Sequence, residues 1–65
     1  MNRIAMLRKE KGLSQISLSL KLNVSQKMIS AYENGKSEPS IATLMQMADI
    51  FNTSVDYIIG YTNSR

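Results

Sequence analysis

Cysteine and histidine are both absent from the chain. Without cysteine there is neither a disulfide framework nor a thiolate metal site. Without histidine the usual general base and the commonest metal ligand are missing. No apolar run approaches the ~20 residues of a membrane-spanning helix. The opening MNRIAMLRKEKG scatters charges where a secretory signal needs an uninterrupted apolar region. The expectation is a cytoplasmic protein with no cofactor, no metal, no membrane partner and no evident small-molecule ligand. The five acidic residues lie scattered and form no recognisable catalytic pair, and no phosphate loop is present, so an enzyme is not expected. RNA binding lacks its usual aromatic platform: Phe51 reads as core, and the three tyrosines are not grouped on one sheet.

What is present is a short chain with a polarised charge. Sixty-five residues make a single domain, 1–65, with one modest core and a polar tail over 61–65. The net charge is +3. Residues 1–32 carry six basic side chains (Arg3, Arg8, Lys9, Lys11, Lys21, Lys27) against Glu10 alone. Residues 33–65 carry Lys36 and Arg65 against Glu33, Glu38, Asp49 and Asp56. A basic half suits a polyanionic partner, although small soluble domains often carry such an imbalance.

Local signals divide the chain into five helices. The first is expected over about Asn2–Lys11, with Ile4, Leu7 and Arg8 at helical spacing, and Gly12 stops it. Ser14 is placed to cap a helix over Gln15–Leu22, and Ser25 one over Gln26–Glu33. Between these two helices Asn23 tolerates the left-handed backbone of a sharp turn. Ile16, Leu18, Leu20, Leu22 and Val24 alternate with polar residues, which is a strand signature. A lone strand among helices has no partner for its edges, and the Leu and Lys content suits a helix, so the helix is preferred. On that helix Leu18 and Leu22 share the inner face beside Ser19, leaving Ile16 and Leu20 on another face. In the third helix Met28, Ile29 and Tyr32 form the buried or partly buried side, with Met28 at the core or its boundary, and Asn34-Gly35 ends it. Pro39 holds Glu38 out of helical geometry. Ser40 then caps a helix over Ile41–Phe51, with Ile41, Leu44, Ala48 and Phe51 on one face. Ser54 caps a short last helix over Val55–Ile59, and Gly60 ends it.

Residues 14–34, SQISLSLKLNVSQKMISAYEN, thus read as two short helices joined by a tight turn, the second opening on polar side chains. That is the form of a DNA-reading helix-turn-helix with its recognition helix. In order along the chain, "LRKEKGLSQ", "LKLNVSQKMISAYENGK", Pro39-Ser40 and "LMQMADIFNTSVDYIIG" resemble the Cro/lambda-repressor-like, or Xre, helix-turn-helix domains over about Ile4–Gly60. The resemblance implies an all-α, compact five-helix fold in which helices 2 and 3 bind DNA. It further implies a sequence-specific transcriptional regulator, a repressor, acting as a homodimer on a pseudo-palindromic double-stranded operator. Two positions depart from the family pattern: Asn23 stands where Gly is common, and Ile16 and Leu20 stand where polar residues are usual. An alternative reading uses the same fold as a protein-interaction or antitoxin-like module, with Ile16 and Leu20 as contacts.

Within this frame the N-terminal residues of helix 3 point to base edges. Gln26 suits adenine and Lys27 suits guanine; Ser30 and Ala31 lie one turn further on. Phosphate contacts are expected from Ser14, Gln15, Ser25, Asn34, Lys36 and Ser37, with Gln15 resembling the family's glutamine position. Arg8 and Glu33 are expected to pair across helices 1 and 3, as similar family members do, because the planar guanidinium fork fits a carboxylate. Val55, Tyr57, Ile58, Ile59 and Tyr61 crowd into seven residues. Some must close the core, and the remainder are candidates for a dimer interface.

Overall fold

The structure, a computed structural model, describes residues 2–65. Five helices follow one another: α1 (Ile4–Glu10), α2 (Gln15–Leu22), α3 (Gln26–Glu33), α4 (Ile41–Phe51) and α5 (Val55–Ile58). No strand occurs among the described residues, and the alternating segment is α2. Leu18, Ser19 and Leu22 face inward, while Ile16 and Leu20 are exposed. Alternation and helical spacing coincide here because an i, i+4 pair satisfies both.

Serine starts four of the five helices. The hydroxyls of Ser14, Ser25, Ser40 and Ser54 accept the backbone N–H of Ser17, Met28, Thr43 and Tyr57 at 2.9–3.1 Å. Each such cap satisfies a donor that the helix leaves unpaired, a contribution of about 1 kcal/mol. α1 is capped differently. Asn2 Oδ1 accepts the Ile4 N–H at 3.0 Å, and Asn2 Nδ2 donates to the Tyr32 carbonyl at 2.8 Å. This cap removes Asn2 and Arg3 from the helix expected to begin at Asn2.

The helices also end alike. A left-handed residue follows each one: Gly12, Asn23, Gly35, Asn52 and Gly60, with φ between 55° and 83°. The next residue's N–H then returns to the carbonyl five positions back, in Leu13→Arg8, Val24→Ser19, Lys36→Ala31, Thr53→Ala48 and Tyr61→Asp56, at 2.9–3.0 Å. This is the Schellman closure, and it places an apolar side chain after the stop against the helix it ends. Leu13 and Val24 do pack on the core in this way. Asn23 therefore fills the role that glycine fills elsewhere, at the modest steric cost of a Cβ.

The core joins all five helices: Ile4 and Leu7 of α1, Leu18 and Leu22 of α2, Ile29 and Tyr32 of α3, Leu44, Met47 and Phe51 of α4, and Ile58 of α5. One expectation is corrected. Ile41 is 68% exposed, and Met47 takes its place on the buried face of α4. Met28, at 39% exposed, lies at the outer edge of the boundary, while Ile29 and Tyr32 supply the buried face of α3.

The two chain ends are tied together. The Arg3 N–H donates to the Ile58 carbonyl at 2.8 Å. Its guanidinium donates to the carbonyls of Tyr57 and Thr62 at 2.6 and 2.8 Å and to Asn63 Oδ1 at 2.7 Å. It also lies over the Tyr57 ring, 4.1 Å from the centroid. Arg65 approaches the same ring and pairs with Glu10. The polar tail over 61–65 is thus folded back against Arg3 and Glu10.

Candidate nucleic-acid interface

α2 and α3 are joined by Asn23, Val24 and Ser25 alone. The left-handed Asn23 reverses the chain, Val24 anchors in the core, and the extended Ser25 opens α3. Burial of Ile29 and Tyr32 then fixes the rotation of α3 about its axis. The opposite face carries Gln26, Lys27, Ser30, Ala31 and Asn34, which recur at i, i+1, i+4, i+5 and i+8. Gln26, Lys27 and Asn34 are exposed; Ser30 and Ala31 are partly covered. Asn34 Nδ2 lies 3.4 Å from the Ser30 hydroxyl.

A chain of polar contacts runs behind this face. Arg8 is only 9% exposed, so its charge needs partners. Its Nε donates to Glu33 Oε2 at 2.7 Å, its Nη2 to Oε1 at 3.4 Å, and its Nη1 to the Leu13 carbonyl at 2.8 Å. Gln15 Nε2 donates to Glu33 Oε1 at 3.0 Å, and Gln26 Nε2 donates to Gln15 Oε1 at 3.3 Å. Glu33 is therefore a hub linking α1, α2 and α3, and Gln15 hands its orientation on to Gln26. Burial raises the Glu33 pKa, but the hydrogen bonds from Arg8 and Gln15 and the positive charges of Arg8 and Lys9 outweigh it. The net shift is below the ordinary carboxylate value.

Among the expected phosphate-contacting residues, Ser14 and Ser25 are exposed and act as caps, and Ser14 also donates to the Ser17 hydroxyl at 2.9 Å. Gln15 is half-buried and keeps one amide hydrogen unused. Lys36 is exposed and Ser37 half-buried, both in the loop after α3. The two arginines of the basic half are spent internally, Arg3 on the tail and Arg8 on Glu33. Lys9, Lys11, Lys21, Lys27 and Lys36 are exposed and outside the ion pairs found among the described residues.

The candidate dimer residues separate. Ile58 is fully buried, so it closes the core and offers no area to a partner. Val55 packs against the core, and Tyr57 is covered by Arg3. Ile59 and Tyr61 remain exposed. Sequence reasoning missed the Arg3 clamp, which has no local signal. It also missed the Asn2 turn, in which the side chain bonds the backbone two residues on, a habit of asparagine that the sequence does signal.

A buried-face helix pair with an outward polar first turn defines the helix-turn-helix class. The family model for the helix-turn-helix matches residues 4–58. The chain belongs to this Cro/C1-type helix-turn-helix family. It is 36% identical over 59 residues to the uncharacterized HTH-type transcriptional regulator YqaE of Bacillus subtilis, covering 89% of this chain and 51% of that protein. It is 31% identical over 58 residues to the HTH-type transcriptional regulator ImmR of the same organism, covering 89% of this chain and 46% of that protein. A crystal structure of a transcriptional regulator from Listeria innocua superposes with a TM-score of 0.82 at 31% identity, covering 94% of this chain and 57% of that one. The chain spans about half the length of the curated relatives it matches. No described helix is long and apolar enough to cross a membrane.

Proposed function

We propose that this chain is the DNA-reading unit of a transcription regulator, a repressor, that lays α3 in the major groove of a duplex. Two copies bind a pseudo-palindromic operator in this reading. The observation that carries it is the outward face of α3, where Gln26 and Lys27 are exposed and Ser30 and Ala31 half-exposed, in a chain whose five lysines lie outside the ion pairs found among the described residues. Gln26 pairs with both edge atoms of adenine, and Lys27 donates to guanine O6 and N7. Ser30 and Ala31 meet the next bases, Ala31 through a thymine methyl. Ser14, Gln15 and Ser25 approach one phosphate strand beside the N-terminal N–H groups of α2 and α3. Asn34, Lys36 and Ser37 meet the other side of the groove. The printed names of the relatives, transcriptional regulators, support the regulatory role.

The test is a titration of random-sequence duplex DNA at increasing salt. The logarithm of the binding constant should fall linearly with log salt, by about 0.9 per phosphate neutralised. Lys36→Ala should reduce that slope by about 1. Binding that ignores salt would contradict the reading.

A further inference from the structure

Asparagine occurs at positions 2, 23, 34, 52 and 63, and Asn34 alone is followed by glycine. The neighbour matters because the backbone nitrogen of the next residue can attack an asparagine's side-chain carbonyl, and a bulky side chain obstructs that approach. Glycine has no Cβ and the widest backbone freedom. Asn23 and Asn52 are instead followed by the β-branched Val24 and Thr53, and both are fixed in left-handed geometry. Asn34 and Gly35 are both exposed. A Cβ placed on Gly35 would meet nothing within 4 Å, so the space beside it is open. Little holds the reacting atoms. Asn34 Nδ2 lies 3.4 Å from the Ser30 hydroxyl, and the Gly35 N–H donates to the Tyr32 carbonyl at 3.3 Å, both longer than a usual hydrogen bond. Asn34 stands at the end of α3 with φ −89° and ψ −2°. Turning it so that its side-chain carbon meets the Gly35 nitrogen breaks that bond and those from the Lys36 and Ser37 N–H groups to the Ala31 carbonyl, at 2.9 and 3.3 Å. All three are backbone bonds that close the loop on α3, and no core side chain takes part in them.

We propose that Asn34 is a site of spontaneous covalent modification, in which Gly35 displaces its amide and the carboxylate left behind weakens DNA binding. The proposal rests on the phosphate-facing reading of Asn34 given above. The Gly35 nitrogen gives its proton to hydroxide and bonds to Asn34 Cγ. The Cγ–Nδ2 bond breaks, and Nδ2 takes a proton from water and leaves as ammonia. A succinimide ring now joins the two residues. Water then opens it. Attack at the side-chain carbonyl leaves an aspartate, and attack at the main-chain carbonyl leaves an isoaspartate. One water is consumed and one ammonia released, with no oxidant or reductant. Either product places a new negative charge at the negative end of the α3 dipole, two positions from Lys36. A phosphate strand repels that charge. Isoaspartate also lengthens the main chain by one carbon, so the Lys36 and Ser37 N–H groups lose their register with the Ala31 carbonyl and Lys36 shifts away from the groove.

The full chain is aged at mildly alkaline pH, and its peptides are followed by chromatography and mass spectrometry. Position 34 should gain one mass unit before positions 23, 52 and 63, and its peptide should split into two products. No gain at position 34, or a gain at Asn63 first, overturns the site. Asn34→Gln, whose longer side chain closes a ring far more slowly, should stay unchanged over the same period. The same samples are titrated with random-sequence duplex at low salt, with helicity checked by circular dichroism. The aged wild-type chain should bind about tenfold more weakly than the fresh one, and aged Asn34→Gln should bind as it did when fresh. Undiminished binding of the converted chain overturns the effect on DNA. Where conversion costs helicity, fresh Asn34→Asp decides: it carries the charge on an unaltered backbone and should bind more weakly than wild type, and equal binding overturns the effect. A fresh wild-type chain that binds no duplex removes the DNA reading itself, while the mass gain at position 34 stands or falls independently.

Discussion

Replacing Glu33 by alanine should destabilise the fold by about 3–5 kcal/mol, enough to leave a 65-residue domain largely unfolded. The reason lies with Arg8. Its side chain is 11% exposed and that of Glu33 is 8% exposed, so both charges are largely shielded from water. Without Glu33 the guanidinium retains only the Leu13 carbonyl among its protein partners, and Gln15 loses its acceptor. Glu33→Gln keeps the shape and one acceptor and should cost less, about 1.5–3 kcal/mol, the usual contribution of hydrogen bonds to a charged group. Replacing both partners with apolar residues of similar size (Arg8→Met with Glu33→Leu) should recover most of the loss, because no charge is then stranded. Urea denaturation followed at the helical circular-dichroism band measures all three. A Glu33→Ala chain within about 0.5 kcal/mol of wild type would remove the hub role.

The same pair makes stability depend on acid. The Glu33 carboxyl titrates below its ordinary value in the folded state. Its contribution is therefore complete above the unfolded carboxyl's range and is lost as the pH falls through the lower, folded value. Glu33→Gln should flatten that part of the acid-denaturation profile. The exposed Arg65–Glu10 pair also lowers a carboxyl pKa, through the Arg65 hydrogen bond, but solvent and salt screen it.

The second large effect concerns binding rather than folding. Gln26→Ala with Lys27→Ala should weaken binding to a selected duplex by about 30-fold to 10⁴-fold. Each lost bidentate base contact is worth about 1–3 kcal/mol. Both residues are exposed, so folding stability should change by less than about 0.5 kcal/mol. Binding to random-sequence duplex should fall much less, since phosphate contacts supply most of it. A double variant that keeps its preference for the selected duplex would move base reading away from the start of α3. A wild-type chain with no preference among duplexes would instead favour the interaction-module reading, in which the exposed Ile16 and Leu20 are the contacts.

The sequence carries local rules well and distant partners poorly. Ser14, Ser25, Ser40 and Ser54 are legible as caps because the cap bond spans three residues. Asn23, Gly12 and Gly60 are legible as stops for the same reason of locality. α4 is less legible: apolar residues occur at 41, 42, 44, 45, 47, 48, 50 and 51, so more than one face fits the helical period. Packing against α2 and α5 selects Met47 and leaves Ile41 outside. In the candidate site the outward residues of α3 follow from the inward ones. The link from Gln26 through Gln15 to Glu33 does not, because polar spacing says nothing about which groups meet across 11 and 18 positions of chain. Arg3 is the extreme case. Its partners lie 54 to 60 residues away, and in sequence it reads as one more cation for a nucleic acid.

Selection of tight-binding duplexes from a random library, with the recovered sites read for symmetry and spacing, tests the major-groove reading most directly. The expected result is an inverted repeat whose half-sites are centred about one helical turn apart. Replacing the purine N7 by carbon at the half-site positions should then abolish the preference, since that atom faces the major groove. No enriched sequence, or an enriched sequence indifferent to loss of N7, would contradict the placement of α3 in the groove.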